Sequence, residues 1–99
     1  MSDLTTFRAH IDEIDDRIVD LLAQRFAIGR QVAGYKLRQG VPVVLPERIA
    51  QVKTRCAERG ERQGLDRAFV EALYTLIIDQ TCETERAVHR AAADAGRTP

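Results

Sequence analysis

The sequence predicts an all-α fold of three helices, one of them very long. Apolar residues recur at steps of three and four along most of the chain, which is the spacing of an amphipathic helix. A length of 99 residues, with 44% hydrophobic and 30% charged residues, suits one folded domain over residues 1–99. The only stretch with the composition of a strand is the short apolar run 41–45.

The first helix is predicted from about residue 4 to about residue 38. No proline occurs between positions 4 and 41, and Ser2, Asp3 and Thr5 offer N-terminal caps. Gly29 and Gly34 each cost about 1 kcal/mol relative to alanine inside a helix, so they indicate close approach of a neighbouring backbone or ligand. The apolar positions that define the helix are Ile11, Ile14, Ile18, Leu21, Leu22, Ile28, Val32 and Tyr35.

The second helix is predicted over residues 46–59, after a loop of residues 39–45. Pro46 suits the first helical position, where its missing N–H costs nothing. Gly60 is expected to end the helix. Its apolar side carries Ile49, Val52 and Cys56.

The third helix is predicted over residues 66–93, after a polar linker of residues 60–64. Asp66 is placed to cap it, because its carboxylate can accept from a backbone N–H of the first turn. The apolar positions of this helix are Phe69, Val70, Leu73, Leu76, Ile77 and Val88.

The length of the first helix predicts a homodimer. A helix of 35 residues measures about 52 Å, whereas a compact globule of this size is roughly 33 Å across. The helix must overhang its own chain and expose an apolar stripe unless a partner covers it. We therefore expect a two-fold dimer in which the long helices lie alongside each other.

Charge and composition exclude several classes of function. Fifteen basic and 15 acidic residues give a net charge of zero, which argues against a nucleic-acid-binding face. The apolar runs are too short to span a membrane, and the acidic start has no apolar signal core. Cys56 and Cys82 lack metal or redox spacing, and His10 and His89 are expected at the surface. These features predict a cytoplasmic protein with no metal, nucleic-acid or membrane partner.

Cations on the apolar side of the first helix indicate a binding site for an anion. Arg25 falls within the apolar stripe, and Lys36 is rotated from it by only about 20° around the helix. Arg48 joins them at the start of the second helix. In one interpretation these side chains extend to water or pair with acidic groups such as Asp20 or Glu47. In the other, they wait for a compact dianionic small molecule, because buried cations without fixed acidic partners are costly.

Arg8 adds a geometric argument for a shared site. It precedes Arg25 by 17 residues, which is about 25 Å along one helix axis. No small molecule can contact both side chains on a single helix. If both bind one ligand, they come from different protomers of the dimer.

The third helix carries a polar pair, Thr81 and Glu85, one turn apart. They share a face with Ile78 and Cys82. This face is either solvated or part of the same binding site. The sequence contains no nucleophile–base pair, phosphate-binding glycine loop or metal-ligand cluster.

Four segments together resemble the all-helical chorismate mutases. They are FRAHIDEIDDRIVDLLAQR, VAGYK, VPVVLPER and GLDRAFVEALYTLIIDQTCETE, and the resemblance covers roughly residues 4–90. It implies an intertwined three-helix homodimer with two active sites and no cofactor. The family includes mutases of 4-amino-4-deoxychorismate and isochorismate-pyruvate lyases.

The resemblance also implies roles for the basic residues. Arg8 is similar to the arginine that reaches the partner's site and binds a substrate carboxylate. Arg25 resembles the within-chain arginine that holds the other carboxylate and the enolpyruvyl group. Lys36 is similar to the lysine that bonds the ether oxygen, and Arg48 to an arginine that supports the electrostatics of the pocket. Thr81 stands where the family has a small hydroxyl residue near the ring carboxylate.

Two positions depart from the family pattern. Mutases usually have a glutamate that reads the ring C4 hydroxyl, and Ile49 replaces it here. Glu85 stands where a glutamine often covers the ether oxygen. The resemblance assigns the apolar walls of the pocket to Val32, Ile78 and Cys82.

The function expected from the resemblance is that of an isomerase, the [3,3] rearrangement of chorismate or a close analogue to prephenate, with Lys36, Glu85 and Arg25 as catalytic residues. The alternatives are an isochorismate-pyruvate lyase giving salicylate and pyruvate, and a 4-amino-4-deoxychorismate mutase. A non-enzymatic alternative is a helical dimerisation or regulatory module. Retention of Arg8, Arg25, Lys36 and Arg48 argues against that last alternative.

Overall fold

The fold is all-α, as the sequence predicts. A computed structural model describes residues 3–96 and contains three helices in that range, with no strand among the described residues. They are α1 (Leu4–Gln39), α2 (Pro46–Arg62) and α3 (Arg67–Ala95). None of them is long and apolar enough to cross a membrane.

Local sequence signals set most of the helix ends. The Asp3 side chain accepts from the Thr6 backbone N–H at 3.0 Å, and Asp66 accepts from the Phe69 N–H at 2.9 Å. These bonds satisfy N–H groups that have no partner within the helix. Gly40 ends α1 in the left-handed region, with φ of 68°, which glycine adopts without a steric penalty.

The predicted end of the second helix is wrong. Gly60 does not stop α2, which continues to Arg62. Gly60 is buried against α3, where an added Cβ would lie 2.8 Å from Val70 Cγ2. The chain turns instead at Gly64, whose φ is 83°. Gly60 therefore serves close helix packing, and Gly64 serves the turn.

Helix α3 supports both other helices. It packs against α1 and α2, whereas no Cα atom of α1 lies within 8 Å of a Cα atom of α2 in the described chain. The α2–α3 contact contains a buried cluster of Val52, Ile78 and Cys82, with Cys56 and Tyr74 packed against it. Because α1 and α2 meet only through α3, a gap remains between them.

His89 helps to fix α1 on α3. Its Nε2 lies 2.9 Å from the Ala33 carbonyl oxygen, and the side chain is half-buried. A carbonyl only accepts, so Nε2 carries a proton and donates it. The expected surface position of His89 is therefore wrong, whereas His10 is exposed.

The apolar side chains in the amino-terminal half of α1 remain exposed in the described part of the chain. The molecule measures 66 Å along its longest axis, with a radius of gyration of 17.8 Å, against about 13 Å for a compact chain of this length. Buried residues of α1 occur only at Gly29 and Ala33, in its second half. The exposed apolar stripe, 49–62% exposed, consists of Leu4, Phe7, Ile11, Ile14, Ile18 and Leu21.

The close approach at Gly60 can be tested by substitution. Gly60→Ala should lower the free energy of unfolding by about 1–3 kcal/mol, because the new methyl group would overlap Val70. In a Val70→Ala background the same change should be neutral or stabilising, since alanine favours the helix by about 1 kcal/mol.

Urea unfolding at a fixed protein concentration measures both effects. Gly96→Ala is the matched control, because a Cβ there makes only ordinary contacts. A Gly60→Ala protein as stable as the wild type would contradict the packing role of Gly60.

Candidate active site

The gap between α1 and α2 forms a cavity of about 280 Å³. This volume suits a small, compact ligand rather than an extended one. Six residues predicted from the sequence line it: Arg25, Val32, Arg48, Ile49, Ile78 and Thr81. The structure therefore brings residues of all three helices to one cavity.

Arg25 reaches from α1 to α3. Its Nη1 donates to Thr81 Oγ1 at 2.7 Å, and its guanidinium carbon lies 6.0 Å from the centre of the Tyr74 ring. Gly29, one turn further along α1, allows this close approach, since a Cβ there would already contact Thr81 Cγ2 at 3.4 Å. The guanidinium is thus held at the cavity wall by α3.

Arg48 lines the opposite side of the cavity, on α2. It is in the first turn of α2, is exposed, and its Nη1 donates to Gln51 Oε1 at 2.7 Å. Its neighbour Ile49 contributes an apolar wall. Two arginines therefore line the cavity, one from α1 and one from α2.

Lys36 and Glu85 form a buried ion pair. Lys36 Nζ lies 2.9 Å from Glu85 Oε1, and the two side chains are 12% and 5% exposed. Lys36 also donates to the Val43 carbonyl at 2.9 Å. The Lys36 ammonium is close to Glu85 Oε1, but the angle between the groups is unfavourable for a hydrogen bond. Lys36 therefore pairs with an acidic group, although the acid is Glu85 rather than Asp20 or Glu47, and the interpretation of Lys36 as a buried cation without a fixed acidic partner is wrong. The interpretation of Glu85 as solvated is also wrong.

Four of the predicted residues do not line the cavity. Two of them, Lys36 and Glu85, form the buried ion pair, and the other two are Cys82 and Arg8. Cys82 is buried in the cluster with Val52 and Ile78, behind the cavity wall rather than on it. Arg8 is exposed on the amino-terminal half of α1, about 25 Å along the helix axis from Arg25. Arg8 cannot reach the cavity of its own chain.

Sequence reasoning missed several contributors. Ile28 and Val52 line the cavity, and each lies three or four residues from a predicted cation, so helical spacing could have found them. Gly29, where the sequence predicts close approach of a neighbouring backbone or ligand, also lines the cavity. The Val43 carbonyl, which accepts from Lys36, is a backbone group, so no residue type in the sequence predicts its role. Tyr74 could have been found as the residue two turns before Thr81 on α3.

Comparison with known proteins establishes the family. The family model described as chorismate mutase type II matches residues 7–86, which include every candidate polar residue of the site. The chain belongs to this family. It is therefore an enzyme of the isomerase class, as the resemblance implies.

Relatives in the family carry three different activities in their names. A 4-amino-4-deoxychorismate mutase of Streptomyces venezuelae is 37% identical over 84 residues, covering 85% of this chain and 82% of that protein. An isochorismate pyruvate lyase of Pseudomonas aeruginosa is 35% identical over 75 residues, covering 76% and 73%. A chorismate mutase of Methanocaldococcus jannaschii is 29% identical over 76 residues, covering 77% of each chain.

The buried ion pair generates a stability prediction. Glu85→Leu leaves the ammonium of Lys36 buried without an acid and should lower the free energy of unfolding by about 3 kcal/mol. Lys36→Met combined with Glu85→Leu should recover at least half of that loss. Recovery should remain incomplete, because Lys36 also bonds the Val43 carbonyl.

Denaturant unfolding of the single and double variants measures this coupling. The control is Glu83→Leu, which breaks the exposed ion pairs of Glu83 with Arg86 and Arg90. Each exposed pair contributes at most about 1 kcal/mol. A double variant no more stable than Glu85→Leu would show that the cost does not come from the unpaired ammonium.

Proposed function

We propose that the protein catalyses the [3,3] rearrangement of chorismate to prephenate without a cofactor. The carrying observation is a cavity lined by Arg25 and Arg48, whose described lining residues include no carboxylate. Chorismate is a small dianion with two carboxylates, and planar guanidinium groups bind carboxylates in bidentate fashion. The charge and the size of the cavity both match this substrate.

The reaction needs positioning and electrostatic stabilisation rather than a covalent intermediate. One C–O bond breaks while one C–C bond forms, and no proton is transferred. Arginines that hold both carboxylates keep the substrate in its compact conformer, which removes much of the entropic barrier. Negative charge grows on the ether oxygen as its bond breaks, and the Lys36 ammonium is the donor proposed to stabilise it.

Glu85 is proposed to act on that charge through Lys36. Its ionised carboxylate only accepts hydrogen bonds and holds the Lys36 ammonium in place. Glu85 does not line the cavity, so its effect on the ether oxygen passes through Lys36.

A second copy of the chain is proposed to complete each site. The exposed apolar stripe of α1 needs a covering surface, and Arg8 lies on the same half of the helix. In a two-fold dimer with α1 shared between protomers, the overhanging half of each α1 crosses its partner and carries Arg8 towards the partner's cavity. The dimer would thus supply a third guanidinium to the dianion.

The second candidate substrate is 4-amino-4-deoxychorismate. The Streptomyces venezuelae relative, named as a mutase of that compound, favours it. Its protonated amino group, however, would meet Ile49 and Arg48 rather than an acid. A cationic cavity without a lining carboxylate favours chorismate, which has no such positive group.

Product analysis tests the proposal. Purified protein is given chorismate, isochorismate and 4-amino-4-deoxychorismate separately, and the products are separated and identified by mass. Prephenate from chorismate, with the highest kcat/KM of the three, is expected. Salicylate and pyruvate from isochorismate as the main reaction, or no turnover of any compound, would overturn the proposal.

Complementation between chains tests the shared site. Arg8→Ala and Arg25→Ala homodimers should each lose most activity, at least about 100-fold. A heterodimer of the two chains contains one site with both arginines, so it should recover about half of the wild-type rate per dimer.

Heterodimers carrying two different affinity tags are purified and assayed for prephenate. A heterodimer of Arg8→Ala with Arg8→Ala/Arg25→Ala contains no intact site and is the matched control. Equal, low activity in both heterodimers would contradict sharing of Arg8 between protomers.

Ile49 is predicted to affect substrate selection. Ile49→Glu places an acceptor where the family reads the ring C4 substituent. The kcat/KM of chorismate relative to isochorismate should rise by about tenfold, since a positioned polar group discriminates between substrates with and without its partner.

Ile49→Leu is the control, because it keeps the apolar wall. Circular dichroism verifies that both variants fold, and the ratio of the two kcat/KM values is the measurement. An unchanged ratio in a folded Ile49→Glu protein would remove Ile49 from substrate selection.

A further inference from the structure

The Thr81 hydroxyl makes two hydrogen bonds within the protein, one as a donor and one as an acceptor. Thr81 Oγ1 lies 2.9 Å from the Ile77 carbonyl oxygen and 2.7 Å from Arg25 Nη1. The carbonyl only accepts, so Thr81 donates its single proton to Ile77. Arg25 only donates, so the Thr81 oxygen accepts from it.

This arrangement leaves Thr81 without a proton for a substrate. A carboxylate is an acceptor and can bond Thr81 only if the hydroxyl abandons Ile77. Arg25, by contrast, uses Nη1 for Thr81 and keeps its Nη2 and Nε donors for a carboxylate. With these two hydrogen bonds in place, Thr81 acts on a ligand through Arg25.

Tyr74 holds the same guanidinium from a second point. It precedes Thr81 by seven residues on α3, a rotation of about 20°, so both side chains face α1. The Tyr74 ring packs against the buried cluster of Val52, Ile78 and Cys82, which limits its movement. The Arg25 guanidinium carbon lies 6.0 Å from the ring centre, at the outer limit of a cation–π contact.

The Tyr74 contact is with a neutral ring. Burial raises the pKa of the Tyr74 phenol above its ordinary value of 10.0, and the neighbouring Cys56 thiol raises that pKa further. Tyr74 therefore stays protonated at neutral pH, and its attraction for Arg25 comes from the face of the ring rather than from a phenolate charge. The ring itself, and not the hydroxyl, is the part required.

We propose that Tyr74 and Thr81 are positioning residues that order the Arg25 guanidinium before substrate binds. A long arginine side chain that is already ordered loses less conformational entropy when it binds a carboxylate. The role in catalysis rests on the proposed function, whereas the ordering of Arg25 can be measured without any substrate.

Nuclear magnetic resonance of the substrate-free dimer measures the ordering directly. Relaxation of the Arg25 Nε–Hε group, assigned by its disappearance in Arg25→Lys, reports the motion of the guanidinium. We expect a rigid group in the wild type, in Thr81→Ser and in Tyr74→Phe. The group should become mobile in Thr81→Val, which keeps the shape but not the hydroxyl, and in Tyr74→Leu, which loses the ring.

Kinetics then separates positioning from direct binding. Thr81→Val should lower kcat/KM for chorismate by about tenfold, less than the 10²–10³ expected for loss of a direct donor. In an Arg25→Ala background the same change should have almost no further effect, because a residue that acts through Arg25 has nothing left to position. Thr81→Ser should restore the wild-type value.

Two results would overturn the inference. One is an Arg25 group that is equally rigid in Thr81→Val, Tyr74→Leu and the wild type. The other is a full loss from Thr81→Val in the Arg25→Ala background, since that indicates direct contact with substrate. A wild-type protein that turns over no chorismate-type compound contradicts the proposed function alone, because the relaxation measurement still decides whether Tyr74 and Thr81 order Arg25.

Discussion

The length of α1 is the constraint on which the rest of the structure depends. A helix of 36 residues is about 54 Å long, and the shorter α2 and α3 cannot cover it. Its second half packs on α3, provides Arg25 to the cavity and pairs Lys36 with Glu85. Its first half exposes an apolar stripe and Arg8. One element therefore builds a wall of the site and also creates the need for a covering partner.

Helix α3 holds the other two helices apart, with a cavity between them. Because α1 and α2 both pack on α3 but not on each other, the space between them stays open. Side chains of α3 also hold the cations of α1, since Thr81 accepts from Arg25 and Glu85 pairs with Lys36. Lys36 is neutralised by a buried carboxylate, whereas Arg25 meets only neutral groups on α3. The charge left for an anion is therefore concentrated on the guanidinium groups.

The helical period predicted the class and the number of helices, and residue type predicted the caps at Asp3 and Asp66, because these features depend on local sequence. The predicted end of α2 was wrong because glycine occurs both at turns and at close contacts between helices. Only the distance from Gly60 to Val70 distinguishes the two. The shared face of Arg25 and Lys36 followed from helical geometry, but the acid that pairs with Lys36 did not. Glu85 is distant in sequence, so its position is set by how α3 packs on α1.

The same limit explains the different outcomes for Thr81 and Cys82. Both lie on one face of α3, and spacing alone assigns both to the site. The rotation of α3 decides the result, because it directs Thr81 towards Arg25 and Cys82 into the cluster with Val52. Residue type alone therefore does not identify the partner of a side chain, and the direction of its hydrogen bonds is also needed. For Thr81 the donated proton goes to Ile77, and this single bond changes its inferred partner from a substrate carboxylate to Arg25.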